Sequence, residues 1–255
     1  VHWRKPLSLF CLYIFLLFHV KTVQYFSDKT INIVGQSYKV TNQKDLETFY
    51  NLIKDIPDCI MLDIGANKGY YSLLTTLKPD LYFYAFEPLT LVYNRFLIKN
   101  LSLNKVLDRG ETYNFGLSNE RSVQELWYDN TENATLKRDT EKENEIIKKR
   151  NSVKEERKGF FRYKSEKANF NKLDDTIITL NKPKITVAKI DVEGAEGLVI
   201  DGGIEFLRDQ KPILFIEIEE RHCKRFGISV DDVLTKLKNV GYSNIKNEGI
   251  NYILT

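Results

Sequence analysis

The sequence predicts an α/β fold built on a doubly wound, mostly parallel sheet. Over residues 58–240, short apolar runs alternate with helical patterns, which is typical of parallel strands joined by right-handed crossovers. Several runs are apolar at nearly every position, as expected for strands that are buried on both faces. Carboxylates follow the ends of these runs, at the edge where an open sheet of this kind binds its ligand.

The N-terminal segment differs from the rest of the chain. Residues 7–20 read LSLFCLYIFLLFHV, a run of about 14 residues that is short for a membrane-spanning helix of about 20. Apolar residues up to 26 extend the run, so we expect an apolar, signal-anchor-like helix within residues 1–26 that attaches the protein to a membrane. Secretion after cleavage as a signal peptide is the alternative. Basic residues flank both sides and fix no orientation.

Residues 27–57 are predicted to form a lead-in strand and an amphipathic helix. The strand lies at residues 31–34, and the helix at residues 43–55, where Leu46, Tyr50 and Ile53 recur at helical spacing. Pro57 ends this helix.

Residues 58–255 are predicted to form the main domain, whose first strand ends at Ile64. The next predicted elements are a helix at 70–77, a strand at 81–86, a helix at 89–102 and strands at 112–117 and 122–128. Further strands are predicted at 184–192 and 213–218, with a helix at 230–240 and short strands at 243–246 and 252–254. Residues 137–167 are dense in charges of both signs, which indicates a solvated surface excursion.

Composition excludes several classes of protein. The 255 residues carry a formal net charge of +3, which gives no basic face for a nucleic-acid partner. Three cysteines are too few and too scattered for a disulfide framework. Only the adjacent pair His222 and Cys223 brings histidine and cysteine together, and neighbours in sequence rarely ligate one metal. We therefore predict no metal site and interpret this pair as part of a helix end.

The loop after the first strand predicts a nucleoside site. Asp63 is followed by Gly65, Asn67 and Gly69, and Glu87 ends the next strand 24 positions after Asp63. Glycines let a loop approach a ligand, and a carboxylate at the second strand end can accept both ribose hydroxyls. The loop lacks the glycine pattern that binds pyrophosphate, which disfavours NAD and ATP. S-adenosylmethionine (SAM) is the candidate ligand, and Asp63 can receive its ammonium group; alternatively, the glycines merely turn the chain.

A second group of acids follows the strand at 184–192, in the sequence Lys189-Ile-Asp-Val-Glu-Gly-Ala-Glu196. Buried carboxylates usually serve a ligand or a cation, because burying an unpaired charge is costly. A functional role is favoured for Asp191, whereas Glu193 and Glu196 fit either function or helix capping. Other acids fit a solvated surface as well as a site; they are Asp174, Asp175, Glu217, Glu219 and Glu220.

Together these motifs resemble the FkbM-type family of SAM-dependent methyltransferases over about residues 58–220. The matching segments are residues 62–72, 85–88, 100–104, 116–118, 173–175 and 189–196. The resemblance implies a Rossmann-like, seven-stranded sheet whose last strand is antiparallel. It also implies that SAM is bound by Asp63, Gly65, Ala66, Asn67, Gly69, Tyr70, Glu87 and Pro88.

The resemblance implies O-methyltransferase activity. The expected reaction is therefore methyl transfer from SAM to a hydroxyl of a sugar, glycan or other small molecule. Asp191 is the expected general base or acceptor-orienting group, with Glu193 second. Two alternatives stay open: a non-catalytic binding module on the same fold, and a nicotinamide-dependent oxidoreductase, which the missing glycine disfavours.

Overall fold

The structure is a computed structural model that describes residues 20–24, 30–34, 43–128, 134–137, 164–182 and 184–255. Its strands are β1 (Val20–Gln24), β2 (Thr30–Val34), β3 (Ile60–Ile64), β4 (Tyr82–Phe86), β5 (Gly110–Tyr113), β6 (Gly116–Ser118), β7 (Ser122–Tyr128), β8 (Ala134–Thr135), β9 (Lys164–Lys172), β10 (Val187–Ile190), β11 (Ile213–Glu217), β12 (Ile245–Glu248) and β13 (Asn251–Leu254).

The helices are α1 (Gln43–Ile53), α2 (the consecutive segments Thr90–Val92, Tyr93–Leu97 and Ile98–Leu103), α3 (Leu173–Ile177), α4 (Glu196–Gly202), α5 (Ile204–Gln210), α6 (Glu220–Arg225) and α7 (Val230–Asn239). The middle segment of α2 is a π-helical turn. Short 3-10 helices lie at Ser72–Thr76 and Leu107–Arg109.

Seven strands form the central sheet, in the order β12-β13-β11-β10-β3-β4-β5. The five strands from β11 to β5 run parallel to their neighbours, and β13 is antiparallel to both β11 and β12. The predicted mostly parallel, seven-stranded sheet with an antiparallel last strand is therefore confirmed. The chain winds outward from β3 in one direction and from β10 in the other, so the switch point of the sheet lies between β3 and β10.

Both faces of the sheet are covered, because successive strand residues pack into different clusters. Met61 packs with α1 and the second half of α2, whereas its neighbour Leu62 packs on the opposite face with α5 and α7. On β4, Phe83 packs on the same face as Met61, and Tyr84 packs on the same face as Leu62. This arrangement explains why these strands are apolar at nearly every position rather than at alternate ones.

A second, four-stranded sheet has the order β6-β9-β7-β8, and the sequence did not predict it as a unit. The strand predicted at 112–117 is instead two strands, one in each sheet. Residues 164–167, predicted to end a solvated excursion, form the start of β9; residues 138–163 lie outside the described residues. Within β9 only Ala168 and Phe170 are buried, so one solvated face gives this strand its charged composition.

The end of the predicted N-terminal helix is also a strand. Val20–Gln24 pairs antiparallel with Thr30–Val34, the strand that was predicted at 31–34. Val20, Thr22 and Val23 are β-branched, and β-branched residues favour strands. Residues 1–19, which hold most of the predicted anchor, lie outside the described residues.

Among the described residues, no helix is both long enough and apolar enough to cross a membrane.

Helix α1 belongs to the packed core. Phe49 is fully buried and contacts Tyr71 and Phe215 edge to face, with ring centroids 5.1 and 5.3 Å apart. We expect Phe49→Ala to lower the free energy of unfolding by about 3–5 kcal/mol, because it leaves a cavity beneath the sheet. Ile178→Ala, at a side chain that is 81% exposed, is the control and should change it by less than about 0.5 kcal/mol. Urea unfolding measures both; equal effects would mean that α1 is not packed as described.

Candidate functional site

The loop after β3 lies against the ends of β4 and β10. The backbone N–H groups of Gly65 and Ala66 both donate to the carbonyl of Phe86, at 3.0 and 2.9 Å. Gly65 has φ +76°, and a Cβ there would overlap the backbone oxygen of Asp191. Glycine is therefore required at this position both by conformation and by the close approach of β10.

Asp63 supports this loop from inside the fold. Its side chain is fully buried, and Oδ2 accepts hydrogen bonds from the backbone N–H and the hydroxyl of Ser72, at 3.1 and 2.7 Å. Oδ1 lies 3.7 Å from Nζ of Lys189. Burial raises the pKa of Asp63, while Lys189 and Ser72 oppose that shift. In this arrangement Asp63 anchors the loop; its contact with a ligand's ammonium group stays a prediction.

Glu87 is held rigidly at the end of β4. Its Oε2 accepts the N–H of Asn67 at 2.9 Å, and its Oε1 accepts the N–H of Leu89 at 2.8 Å. Each oxygen keeps a second lone pair, so the carboxylate can still accept two hydroxyl groups. Burial raises the pKa of Glu87 to about 7. Asn114, which the sequence did not single out, donates to the carbonyl of Glu87 at 2.9 Å and so orients this turn.

The other predicted cofactor-binding residues lie on the same loop and turn. Ala66 is buried, and Tyr70 and Pro88 are half-buried. Asn67 has φ +48° and Gly69 has φ +82°. The structure therefore brings all eight predicted residues to the carboxyl ends of β3 and β4, beside the switch point of the sheet.

Lys189 connects this loop to the second group of acids. Its buried ammonium donates to the carbonyl of Gly65 at 2.8 Å and lies 3.4 Å from Oδ2 of Asp191. It also lies 5.0 Å from the centre of the Tyr71 ring. Burial lowers the pKa of Lys189, but Asp191, Asp63 and Glu217 outweigh it, so the net shift is upward. The sequence did not identify Lys189, although a lysine inside an apolar strand is itself an unusual signal.

Asp191 and Glu193 meet Glu217 at the ends of β10 and β11. The side chain of Asp191 directly follows β10 and is 33% exposed. The pKa of Glu193 is raised to about 8 and that of Glu217 to about 9. Burial is the largest cause in both cases, and the charge of Asp191 is the second. Glu193 also contributes to the upward shift in the pKa of Glu217, so these carboxylates lie close enough to interact electrostatically.

Helix α6 brings a histidine into this group. Nδ1 of His222 lies 3.4 Å from Oε2 of Glu193, and Nε2 lies 3.2 Å from Oε2 of Glu219. A close approach fixes this geometry, since a Cβ at Gly194 would clash with the backbone of His222. The interpretation of His222 as an ordinary helix-end residue therefore misses its place beside the acids. The spacing Glu217-x-Glu219-x-x-His222, across a strand end and a helix start, is the signal that would have found it.

Strand β8 lies beside the same group. The hydroxyl of Thr135 donates to the carbonyl of Glu193 at 3.4 Å, and Nζ of Lys137 lies 5.1 Å from the centre of the Phe226 ring. Arg225 also donates to the carbonyl of Glu193, at 2.9 Å. One end of the second sheet therefore contacts the loop that carries Glu193.

The remaining acids have structural partners. Oδ1 of Asp174 accepts the N–H of Phe206 at 2.9 Å, and Oε2 of Glu220 accepts the N–H of Val230 at 3.2 Å. Oε1 of Glu196 accepts the N–H groups of Val192 and Gly194, both at 3.1 Å. Glu196 therefore shapes the loop that carries Glu193, while Asp175 lies beside Asp174 in the first turn of α3.

The sequence matches the family described as the Methyltransferase FkbM domain over residues 63–243. The chain belongs to this family. The predicted resemblance is confirmed, and the match runs further than the predicted limit of about residue 220. No curated protein matches the sequence.

Solved structures with a similar fold include three methyltransferases. FkbM from Methylobacillus flagellatus KT has a TM-score of 0.49 and 13% identity, covering 87% of this chain and 56% of its own. Precorrin-6y C5,15-methyltransferase from Geobacter metallireducens GS-15 scores 0.47 at 12% identity, covering 86% and 90%. Putative methyltransferase yhhF from Escherichia coli scores 0.45 at 13% identity, covering 92% and 96%. The chain thus spans little more than half of the first structure.

The FkbM-family match covers both groups of candidate residues. It begins at Asp63 and extends beyond His222, so the cofactor loop, the acids after β10 and helix α6 all lie within the methyltransferase-family domain. Helix α1 and the two N-terminal strands lie before it.

Glu196 makes stability depend on pH. Burial raises its pKa from 4.5 to about 7, so between these values the folded state keeps a proton that the unfolded state has released. The free energy of unfolding should therefore fall as pH rises through this window, by an amount on the order of 3 kcal/mol for this group.

We expect Glu196→Gln to flatten this decline, because a neutral amide has no proton to release. Urea unfolding at about pH 5 and about pH 8 measures the slope. Glu205→Gln, at an exposed position of α5, should leave the slope unchanged. An unaltered slope in Glu196→Gln would show that Glu196 ionises normally.

Proposed function

We propose that this chain is a SAM-dependent O-methyltransferase that acts on a hydroxyl of a sugar, a glycan or another small molecule. The observation that carries the proposal is the fixed carboxylate of Glu87 beside the glycine loop, at the switch point of a methyltransferase-family sheet. Asn67 and Leu89 hold both of its oxygens, which leaves their remaining lone pairs for the two ribose hydroxyls of a nucleoside.

The residues around Glu87 suit a nucleoside without a pyrophosphate. The glycines of the loop serve packing as well as ligand access: Gly65 meets the backbone of Asp191, and a Cβ at Gly69 would overlap the side chain of Leu97. The N–H groups of Gly65 and Ala66 are engaged by Phe86 and that of Asn67 by Glu87. These donors are therefore not offered to a phosphate, which supports SAM over a dinucleotide.

Methyl transfer requires little more of the protein than positioning and removal of one proton. SAM supplies a methyl group on a sulfonium; the carbon–sulfur bond breaks with its electron pair going to sulfur as the carbon–oxygen bond forms. Holding the acceptor oxygen in line contributes up to about 7–11 kcal/mol. Asp191, at the carboxyl end of β10, takes the hydroxyl proton or orients the hydroxyl. A general base contributes about 10²–10⁴-fold to the rate.

Lys189 holds Asp191 in place for this role. Its ammonium lies 3.4 Å from Oδ2 of Asp191. Glu193 is the second candidate base, but its raised pKa and its contacts with His222 and Arg225 make it less available at neutral pH. The acids that surround Asp191 favour a polyhydroxyl or cationic acceptor over an anionic one.

SAM affinity should depend on the ionisation of Glu87. Because the carboxylate form accepts both ribose hydroxyls, we expect affinity to rise with pH through about 7, the pKa of Glu87. Glu87→Gln should weaken binding by at least about tenfold and remove this pH dependence, since an amide offers only one acceptor oxygen. Isothermal titration calorimetry with SAM and with S-adenosylhomocysteine measures both effects. Glu47→Gln, exposed on α1, is the control; no binding of either ligand to the wild type would favour a non-catalytic module.

Asp191→Asn should separate binding from transfer. We expect unchanged SAM affinity, with methyl transfer reduced by about 10²-fold or more, because the amide cannot accept the proton. Transfer of a labelled methyl group from SAM to a panel of sugars and polyols measures the rate. Asp209→Asn, exposed on α5, should behave as the wild type. Full activity in Asp191→Asn would remove Asp191 from the mechanism.

A further inference from the structure

Five carboxylates lie near the ends of β10 and β11; they are Asp191, Glu193, Glu196, Glu217 and Glu219. Glu196 is 2% exposed, and its Oε2 has no hydrogen-bond partner among the described residues. Lys189 and Arg225 lie among these carboxylates. Methyl transfer needs only one base, so most of this group has no role in that reaction.

Three side chains of this group form a mixed set of metal ligands. One ligand atom each from Glu217, Glu219 and His222 lies within 4.8 Å of the others. Glu217 ends β11, Glu219 precedes α6, and the imidazole of His222 is only 9% exposed. Two short, regular elements therefore aim two carboxylates and a buried imidazole at one point.

A cationic side chain already lies between two of these ligands. Nη2 of Arg221 lies 3.1 Å from Nε2 of His222, and its Nε donates to Oε1 of Glu219 at 3.2 Å. The guanidinium therefore supplies a positive charge beside the donor set. Because the side chain of Arg221 is 56% exposed, it can turn into solvent at little cost when another cation takes its place.

We propose that Glu217, Glu219 and His222 bind a divalent transition-metal cation, for which Mn²⁺ is the best match. Carboxylates suit Mg²⁺ and Mn²⁺, whereas imidazole suits the transition metals, so a donor set of two carboxylates and one imidazole favours Mn²⁺ over Mg²⁺ or Ca²⁺. Water or an acceptor oxygen would supply the remaining ligands of the ion.

The position of this site gives the ion a role in the proposed reaction, and this part of the inference rests on the proposed function. Asp191 and Glu217 directly follow Ile190 and Ile216, which are paired on neighbouring parallel strands, so an acceptor hydroxyl near Asp191 can also reach the ion. A bound cation lowers the pKa of a coordinated hydroxyl and fixes its position. The acceptor class is thereby narrowed to molecules with a hydroxyl that can coordinate a metal, such as a sugar with neighbouring hydroxyls.

The test is the binding of Mn²⁺ alone to the full chain after treatment with a chelator, followed by electron paramagnetic resonance and by calorimetry. We expect one Mn²⁺ per chain in the wild type. His222→Gln and Glu219→Gln should each weaken binding by at least about tenfold. Arg221→Gln should strengthen it, because a competing cation is removed. Glu205→Gln should change nothing.

Thermal unfolding without metal shows whether each variant is folded. If His222→Gln does not fold, Glu219→Gln still tests the proposal, because that side chain is partly exposed. Absence of Mn²⁺ binding in the wild type, or binding that neither ligand variant weakens, would overturn the proposal. Weaker binding in Arg221→Gln would also count against it, since the guanidinium would then belong to the site rather than compete with it. SAM binding is measured separately, so its failure refutes the proposed function and leaves the metal result standing.

Discussion

The ammonium group of Lys189 lies between Asp63, Asp191 and the carbonyl of Gly65, at the switch point of the sheet. These contacts join the loop after β3 to the end of β10, the two segments that build the candidate site. An ammonium buried this deeply is stable only because the two carboxylates compensate it, and removing one partner of such a group costs about 3–5 kcal/mol. The geometry of the cofactor loop and that of the expected base therefore depend on one electrostatic contact.

Burial also raises the pKa of other carboxylates near this contact. Burial and neighbouring acids raise the pKa of Glu193 to about 8 and that of Glu217 to about 9. Such shifts are a recurrent property of functional sites, since a fold selected for stability alone would replace these groups with apolar ones. These acids lie within the part of the chain that matches the FkbM methyltransferase family.

The cofactor half of the site is almost entirely local in sequence. Asp63, the glycines of the loop and Glu87 follow the ends of two adjacent strands, and pattern alone placed them together. The acids after β10 are also contacted by distant segments: Thr135 comes from the second sheet, and His222 from α6. Thr135 and Glu193 are 58 positions apart, and no local pattern connects them, so this contact could not be predicted from spacing. Strand β9 was also missed, because its solvated, charged face gives it the composition of a surface segment.

By itself the sequence determined the sheet, its switch point and the family. It also picked out the glycine loop after β3 and the turn after β4. Apolar periodicity and glycine spacing reveal these features because they are local consequences of backbone geometry and burial. Only the tertiary structure decided how the charges are distributed. It placed Lys189 between two carboxylates, turned Asp63 inward, and brought His222 against Glu193 and Glu219. The physical reason is that a pKa or a ligand set depends on distances in space and on exclusion of water, and both exist only once the chain has folded.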